Sequence, residues 1–491
     1  MMPRLGVYTS VETVPRSMAI RLANISILYY RRMKPPLKQI FRWLKYPALI
    51  LGIAAATVVL VAYGRGYFYD LETGKIAGGG LLSIDSEPGD ARIRVDDARR
   101  GSTENRIRLA SGTYTVQLRR EGYRSWTKEL SVQTAAVTYA RYPVLVPNKV
   151  PSDPIRNLNG LKFVSQSDDQ RYLAAVTSTD GGDRLRIFPA GGQSSYLALA
   201  PSAKYPSLNI NITDLSWAPD ASRAFVRAEI SSGSKRYFVF NPGAKRSGRE
   251  VEAIAGEVFR QPIFSQSSQA IYGITDDNVL RRLALNQSPP RPIARNITAF
   301  DVYQDAIYAL QQASGGSQLV RIEDGETRSL SINHLPGAHQ IEAIQHQGQL
   351  HLMLHNTDRA QVTLIANPAS GAPATTSLPP GAAERVTVSP GGAYVLMYSG
   401  SHFTTYDLKR QQTHRFRLAD MATEPQWYTE HHLLAVSGEG VILLEFDGAN
   451  QEYLTVAQDF RVFGNHQQDT VYSIRRNQVT NQLQLQRSNL K

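Results

Sequence analysis

The sequence predicts a mainly β protein with one N-terminal transmembrane helix, a small β-sandwich and a large β-propeller. Three observations predict this fold class. Residues 46–64 carry no charge, residues 81–147 alternate apolar and polar side chains in short runs, and residues 151–491 repeat a pattern of strand, turn and strand. A chain of 491 residues is long enough for several domains that each bury a core.

The segment YPALILGIAAATVVLVAYG at residues 46–64 predicts the membrane-spanning helix. At a rise of about 1.5 Å per residue it would be about 28 Å long, close to the thickness of the hydrocarbon layer of a bilayer. It lacks the polar stripe that a helix on a soluble core would show. A cleaved signal peptide is the alternative interpretation. We favour an anchor, because the segment ends in VLVAYGRGY and not in a small-residue cleavage site.

The charges on either side of this helix predict its orientation. Residues 1–45 form a basic tail with nine Lys or Arg residues and one acid, whereas residues 148–491 contain 32 basic and 31 acidic residues. Basic residues beside a spanning segment stay in the cytoplasm. We therefore expect a single-pass protein of the plasma membrane with a cytoplasmic tail and the bulk of the chain outside. Met33 is an alternative start of translation, which would shorten the tail.

Aromatic side chains mark both ends of the predicted helix. Trp43 and Tyr46 stand at its start, and Tyr63 and Tyr67 stand at its end, where interfacial Trp and Tyr residues are enriched. The lipid bilayer is therefore a predicted partner. Residues 65–80 contain three consecutive glycines and are expected to form a flexible stem linker.

Residues 81–147 have the pattern of short antiparallel strands. Apolar and polar side chains alternate in residues 91–95, 106–109 and 114–119, and turns containing Gly, Pro or Asp separate these runs. Short alternating strands at this spacing form a small sandwich with one apolar face on each sheet.

The turn and core residues of this segment resemble those of the PEGA domain of bacterial surface proteins. They follow the order S-x-P-x-x-A-x-I-x-V-D, then a Gly-x-Thr turn, then G-x-Y-x-V and a G-Y pair. The residues that carry the resemblance are Pro88, Ala91, Asp96, Gly101, Thr103, Gly112, Tyr114, Gly122 and Tyr123. Gly89-Asp90 and Glu104 depart from the family pattern at two turns. The resemblance implies an extracytoplasmic, non-catalytic module between an anchor and a larger domain.

Residues 151–491 contain eight similar strand starts, mostly 36–52 residues apart, which is the length of a four-stranded propeller blade. The starts are residues 163–165, 215–217, 262–265, 300–302, 341–344, 385–390, 426–428 and 461–463. The pattern SWAPDASRAFV resembles a hairpin of WD-like and TolB-like β-propellers. The eighth copy is short, so one blade is expected to combine strands from both chain ends. We favour eight blades over seven.

The sequence contains no recognisable catalytic motif. It has no G-x-S-x-G nucleophile elbow, no Gly-rich phosphate loop, no H-E-x-x-H sequence and no cysteine. His351 and His355 share one face of a predicted strand, but about 13 Å separates positions four apart on a strand, too far for one metal ion. We therefore predict no catalytic residue, no metal and no cofactor.

Location and architecture together predict a membrane-anchored extracytoplasmic binding or scaffold protein of the bacterial cell envelope. The propeller is expected to recognise a protein or an envelope glycan, and the alternatives are a hydrolase acting in the propeller pocket and a spacer without a ligand. Nucleic acid is not an expected partner, because residues 148–491 are almost neutral. The outward arginines of the sandwich leave two interpretations open, a solvated sheet face and a surface for anionic lipids or wall polymers.

Overall fold

The structure is a computed structural model that describes most of the chain from residue 37 onward. The described residues are 37–70, 74–190, 195–199, 210–230, 233–285, 289–304, 306–330, 332, 335, 337–378, 383–421, 423–438, 440–457 and 462–491. The predictions for the basic tail before residue 37 and for a start at Met33 lie outside these residues.

The helix α1 (Leu37–Gly64) contains the segment that the sequence predicts to span a membrane. Among the described residues, Tyr46–Gly64 is the segment long and apolar enough to cross a bilayer, and the rest of the protein buries none of it. Leu51 and Leu60, for example, are 74% and 70% exposed. So large an exposed apolar surface is unfavourable in water. A helix of this kind near the N-terminus is compatible with a membrane anchor or with a signal peptide.

Eight strands after α1 form two packed sheets. They are β1 (Tyr67–Asp70), β2 (Lys75–Ile84), β3 (Arg92–Val95), β4 (Ala98–Ser102), β5 (Asn105–Ala110), β6 (Gly112–Arg119), β7 (Trp126–Val132) and β8 (Val137–Ala140). One sheet has the order β1-β2-β5, with β8 parallel to β2, and the other has the order β4-β3-β6-β7. The alternating apolar side chains of the sequence point between the sheets, where Ile93, Ile107 and Val116 are buried in one core.

The described residues 65–70 and 74–80 do not form the flexible linker that the glycines predict. Two residues separate the end of α1 from the start of β1. β1 pairs with the first part of β2, and the second part of β2 pairs with β5. A Cβ atom on Gly79 would lie 2.2 Å from the carbonyl oxygen of Leu109, and one on Gly80 would lie 2.3 Å from that of Gln133. These glycines therefore allow close backbone packing inside a strand, and the prediction of a flexible linker is wrong.

The described part of the chain from Ser152 onward forms eight four-stranded antiparallel sheets. The strands of the first four are β10 (Leu161–Gln166), β11 (Tyr172–Thr179), β12 (Gly182–Pro189) and β13 (Tyr196–Leu199); β14 (Asn211–Trp217), β15 (Ala224–Glu229), β16 (Lys235–Phe240) and β17 (Arg249–Glu250); β18 (Arg260–Phe264), β19 (Ala270–Ile274), β20 (Leu280–Ala284) and β21 (Arg291–Ala294); β22 (Ile297–Tyr303), β23 (Ala306–Ala313), β24 (Gly316–Glu323) and β25 (Glu326–Ser329). The short helix α2 (Val251–Ala255) follows β17.

The last four sheets have the same layout. Their strands are β26 (His339–His346), β27 (Gln349–Asn356), β28 (Gln361–Ala366) and β29 (Ala374–Ser377); β30 (Arg385–Val388), β31 (Tyr394–Ser399), β32 (His402–Asp407) and β33 (Gln412–Arg417); β34 (Gln426–Trp427), β35 (His432–Ser437), β36 (Gly440–Glu445) and β37 (Glu452–Val456); β38 (Phe463–Asn465), β39 (Thr470–Arg476), β40 (Leu483–Asn489) and β9 (Ser152–Asn157). A single 3-10 turn, His466–Gln468, lies between β38 and β39.

This arrangement is a β-propeller, and its sheets begin where the sequence predicts repeats. Each predicted start falls on the first strand of a sheet: β10, β14, β18, β22, β26, β30, β34 and β38. The last sheet joins the two ends of the domain, because β40 pairs with β9 from Gln484 opposite Asn157 to Ser488 opposite Ser152. Neighbouring sheets share apolar cores, as where Phe225 stacks on Phe264 with 3.8 Å between ring centroids.

Candidate functional site

A cleft of about 1290 Å³ lies between the sandwich and one edge of the propeller. Residues 85–89, after β2, and residues 141–144, after β8, form its sandwich wall. Its propeller wall is built mainly from the loops that join the first strand of a sheet to the second: residues 168–170, 346–347, 390–391, 428–431 and 466–467. Because alternate loops of an antiparallel sheet emerge at the same edge, these loops meet on one face of the ring. The cleft is therefore shared by both domains.

Aromatic rings from both domains form one wall of the cleft. Tyr142 of the sandwich stacks on His431 of the propeller, with 4.8 Å between ring centroids and 10° between planes. Tyr394 meets the same imidazole edge-on at 5.6 Å. Burial lowers the pKa of His431 and, with the charge of Glu445, raises the pKa of Tyr142 to about 12. Both rings are therefore neutral near pH 7, and the stacked pair forms one aromatic surface at the cleft.

Charged side chains of the cleft are held by their own partners. The carboxylate of Glu430 accepts hydrogen bonds from Ser389 Oγ at 2.6 Å, from the Ala393 N–H at 2.7 Å and from the Gly391 N–H. Arg410 donates to Asp407 Oδ2 at 3.0 Å. These contacts fix neighbouring loops and place charges of both signs beside the aromatic wall, as in sites that orient a polar ligand.

A second cavity of about 770 Å³, here called the channel, lies beside the cleft and shares several lining residues with it. First strands line it, including residues 342–345 of β26, and Asp168 borders both cavities. Burial raises the pKa of Glu342 to about 7, and the negative charges of Asp301 and Asp168 add to this shift. Burial also raises the pKa of Asp301 to about 6, although its carboxylate accepts two backbone N–H bonds. Asp168 and Glu342 line the channel, and Asp301 lies close enough for its charge to raise the pKa of Glu342, so the three carboxyl groups resist ionisation together.

Replacing Glu342 by glutamine is expected to stabilise the protein at pH 8 and to change its stability little at pH 5. The pKa of Glu342 is 4.5 in its ordinary state and about 7 in the fold, so between these pH values the folded protein holds a proton that the unfolded chain releases. The contribution of this proton to the free energy of unfolding is lost as the pH rises to 7 and above. Glu342 lies deep in the protein, but its side chain faces the channel and is accessible to water, which screens its charge. We therefore expect a gain of only about 1 kcal/mol at pH 8.

Urea unfolding of both proteins at the two pH values measures this effect. Glu326→Gln is the control, because Glu326 lies in a surface ion pair with Arg328 in which both side chains are more than 70% exposed. An equal change at pH 5 and pH 8 would contradict the assigned titration of Glu342.

Glu87, His466 and Asp469 meet where the sandwich contacts the propeller. Their potential ligand atoms all lie within 4.8 Å of one another. Lys491 Nζ, however, pairs with the carboxylates of Glu87, at 3.5 Å, and of Asp469. An ammonium group at this position opposes the binding of a metal cation, so we interpret the group as an ionic contact between the domains.

The PEGA motif residues hold the turns and core of the sandwich. Ala91 is fully buried, and its N–H donates to Thr103 Oγ1 at 3.0 Å. Asp96 Oδ1 accepts the Thr115 N–H at 2.8 Å, and Tyr114 donates to the Ala110 carbonyl at 3.0 Å. The remaining motif residues lie at turns, within or at the start of a strand, or against the core: Pro88, Gly101, Gly112, Gly122 and Tyr123. Pro88 is the motif residue among them that also lines the cleft.

The predicted interfacial aromatics lie at the two ends of the apolar helix. Tyr46 and Tyr63 are 69% and 58% exposed, and Tyr67, the first residue of β1, is 46% exposed. Trp43 belongs to α1, but its side chain is outside the described residues. Tyr46, Tyr63 and Tyr67 do not line the cleft, so these three predicted membrane contacts are separate from the candidate binding site.

Sequence reasoning missed the aromatic residues of the cleft. Tyr142, Tyr394 and His431 come from the sandwich and from two different sheets of the propeller. No local spacing connects them. The one sequence signal is the pair His431-His432 directly before the apolar strand β35.

Comparisons with known proteins identify the smaller domain and give neighbours for the larger one. Residues 79–148 match the PEGA domain. Similar solved structures are the C-terminal WD40 domain of Sif2 (9% identity, 69% of this chain and 98% of that chain, TM-score 0.43), the Dos1 propeller (8%, 69% and 94%, 0.43) and an oligogalacturonate lyase in complex with manganese (9%, 70% and 98%, 0.38). At such identities the likeness concerns the fold alone. No curated protein matches the chain.

Proposed function

We propose that the protein is a membrane-anchored binding protein of the bacterial cell envelope. In this proposal α1 stays in the plasma membrane with its N-terminus in the cytoplasm, and the PEGA domain and propeller lie outside. The observation that supports a binding role is the cleft of about 1290 Å³ with an aromatic wall built by both domains.

The shape and chemistry of the cleft favour an envelope glycan over a folded protein as ligand. Protein partners usually meet a broad surface of about 800 Å² on each side, whereas small ligands enter concave pockets with a few placed polar groups. Sugar rings present C–H faces that pack on aromatic rings and hydroxyl groups that bond to charged side chains. The half-buried rings of Tyr142 and His431, backed by the buried ring of Tyr394, supply the first kind of contact, and Lys409 and Arg410 supply the second.

Binding of a fluorescent disaccharide-peptide fragment of peptidoglycan to the full chain in lipid nanodiscs tests this proposal. We expect fluorescence anisotropy to show saturable binding, and Tyr142→Ala and His431→Ala to weaken it about tenfold, which corresponds to about 1.4 kcal/mol. Tyr142→Phe, which keeps the stacked ring, should bind nearly as well as the original protein. Tyr453→Ala is the control, because that ring is 49% exposed and lies outside the cleft.

Two results would count against a glycan ligand. Unchanged affinity in the cleft variants would place the binding elsewhere, and absence of binding would favour a protein partner or a spacer.

The hydrolase alternative has one specific observation in its favour. Asp168 and Glu342 line the channel beside the cleft. Both have raised pKa values, as does Asp301 nearby, and carboxyl groups of this kind serve as general acids. Release of reducing ends from the same fragment by the original protein, and not by Glu342→Gln, would establish hydrolysis. We expect neither protein to release them.

A further inference from the structure

The hairpin of β1 and β2 carries an apolar face immediately beyond α1. Tyr69 and Ile76 lie directly opposite each other in this hairpin and are 61% and 75% exposed. Tyr67 lies on the same face, because positions two apart on a strand point the same way, and it is 46% exposed. These three large side chains thus form one apolar surface. It lies beyond the part of β2 that pairs with β5.

Arg108 connects the end of α1 to the sandwich. From β5, its Nη2 donates to the hydroxyl oxygen of Tyr63 at 3.0 Å. Its guanidinium lies 4.6 Å from the ring centroid of Tyr63, in the last turn of α1, and 5.7 Å from that of Phe68 in β1. A cation at the carboxyl end of a helix is also favoured by the helix dipole. The hairpin is therefore held against the helix end.

The chain between helix and hairpin is too short to leave the membrane surface. Only Arg65 and Gly66 separate Gly64 from Tyr67, and three residue steps span at most about 11 Å. The headgroup layer on each side of a bilayer is about 5–7 Å thick. If α1 spans the bilayer, the hairpin therefore begins within the headgroup layer or directly above it.

We infer that the β1–β2 hairpin docks the PEGA domain onto the phospholipid headgroups of the bilayer that α1 spans. Tyr67, Tyr69 and Ile76 enter the headgroup layer from one face of the sheet. Arg108 lies on the opposite face, beside Phe68, and pairs with lipid phosphate there, so lipid headgroups meet the hairpin on both faces. Tyr and Arg side chains are well suited to this depth, since each has an apolar part and a polar end. Arg106 is exposed on the face of β5 that carries Arg108, and the two positive charges favour anionic lipids. This inference rests on the proposed anchoring by α1, and it fixes the height of the cleft above the membrane.

Single cysteine residues can report this docking, because the natural sequence contains none. The full chain would carry one fluorophore-labelled cysteine, at Leu60→Cys in α1, at Tyr69→Cys or Ile76→Cys in the hairpin, or at Val479→Cys, a propeller position that is 93% exposed. Each variant is placed in nanodiscs of phosphatidylcholine with or without phosphatidylglycerol, and nitroxide lipids quench labels at the headgroup or in the acyl layer.

We expect acyl-layer nitroxides to quench the label at position 60, and headgroup nitroxides to quench the labels at 69 and 76 several-fold more than the label at 479. Phosphatidylglycerol should strengthen quenching at 76, Arg108→Glu should weaken it, and Arg108→Lys should retain most of it. Quenching at 60 with values at 69 and 76 equal to that at 479 would overturn the docking and leave the anchor intact. No quenching at 60 would overturn both.

Discussion

Replacing Glu445 by alanine is expected to destabilise the protein by about 3–5 kcal/mol, because it breaks a buried ion pair between the two domains. Glu445 ends β36 and is 1% exposed. One carboxylate oxygen accepts hydrogen bonds from the indole N–H of Trp126 and from Asn450 Nδ2, the latter at 2.8 Å. The other pairs with the ammonium group of Lys128.

The loss is large because the partners of Glu445 stay buried. Burial lowers the pKa of Lys128, but the charges of Glu445 and Asp447 raise it by more, so the ammonium group remains ionised. Without Glu445 it retains only Asp447, at 2.6 Å, as a counter-ion, and the indole N–H of Trp126 loses its acceptor. An unpaired buried donor and a half-compensated buried charge each cost free energy in the folded state.

Urea unfolding of the full chain in detergent measures the free energy of this change. A double-mutant cycle with Lys128→Met should show coupling, since removing both charges costs less than the sum of the single changes. Glu326→Ala is the control for an exposed carboxylate paired with arginine, and we expect less than about 0.5 kcal/mol there. A loss below about 1 kcal/mol for Glu445→Ala, or purely additive changes, would contradict the role of this pair.

Features that depend on local periodicity could be predicted from the sequence. An uncharged run of 19 residues defines the apolar helix, and strand-turn-strand units recur at regular spacing, so each predicted start falls on the first strand of a sheet. The short eighth repeat also predicts that β9 completes the last sheet, as it does. These signals depend on residues that are close in the sequence, and tertiary packing does not override them.

Features that depend on contacts across the fold could not be predicted. Gly79 and Gly80 are typical of a flexible linker when read locally, but they are required by the carbonyl groups of residues far along the chain. Tyr142 and His431 belong to different domains, and only the docking of the PEGA domain brings their rings together. The site therefore follows from the domain interface, which leaves no motif in the sequence.

Acidification is expected to destabilise the protein through His432, and His432→Gln should remove this part of the pH dependence. His432 is 3% exposed, and its Nδ1 lies 2.9 Å from Thr429 Oγ1. Burial, together with the charges of His431, His466 and Lys128, lowers its pKa from 6.5 to about 3. Below pH 6.5 the unfolded chain therefore binds a proton at His432 that the folded protein does not bind. The contribution of His432 to the free energy of unfolding is fully present above pH 6.5 and is lost as the pH falls toward 3.

Comparing how the free energy of unfolding of the two proteins changes with pH separates the effect of His432 from that of other titrating groups. Between pH 7 and pH 4.5, the original protein should lose about 2.5 kcal/mol more than His432→Gln in urea unfolding. His402→Gln is the control, because His402 is exposed on β32. Glu342 has the opposite sign, since its protonation stabilises the fold over the same pH range, but it is present in all three proteins and cancels. Equal losses in the original protein and His432→Gln would show that His432 accepts its proton in the folded state.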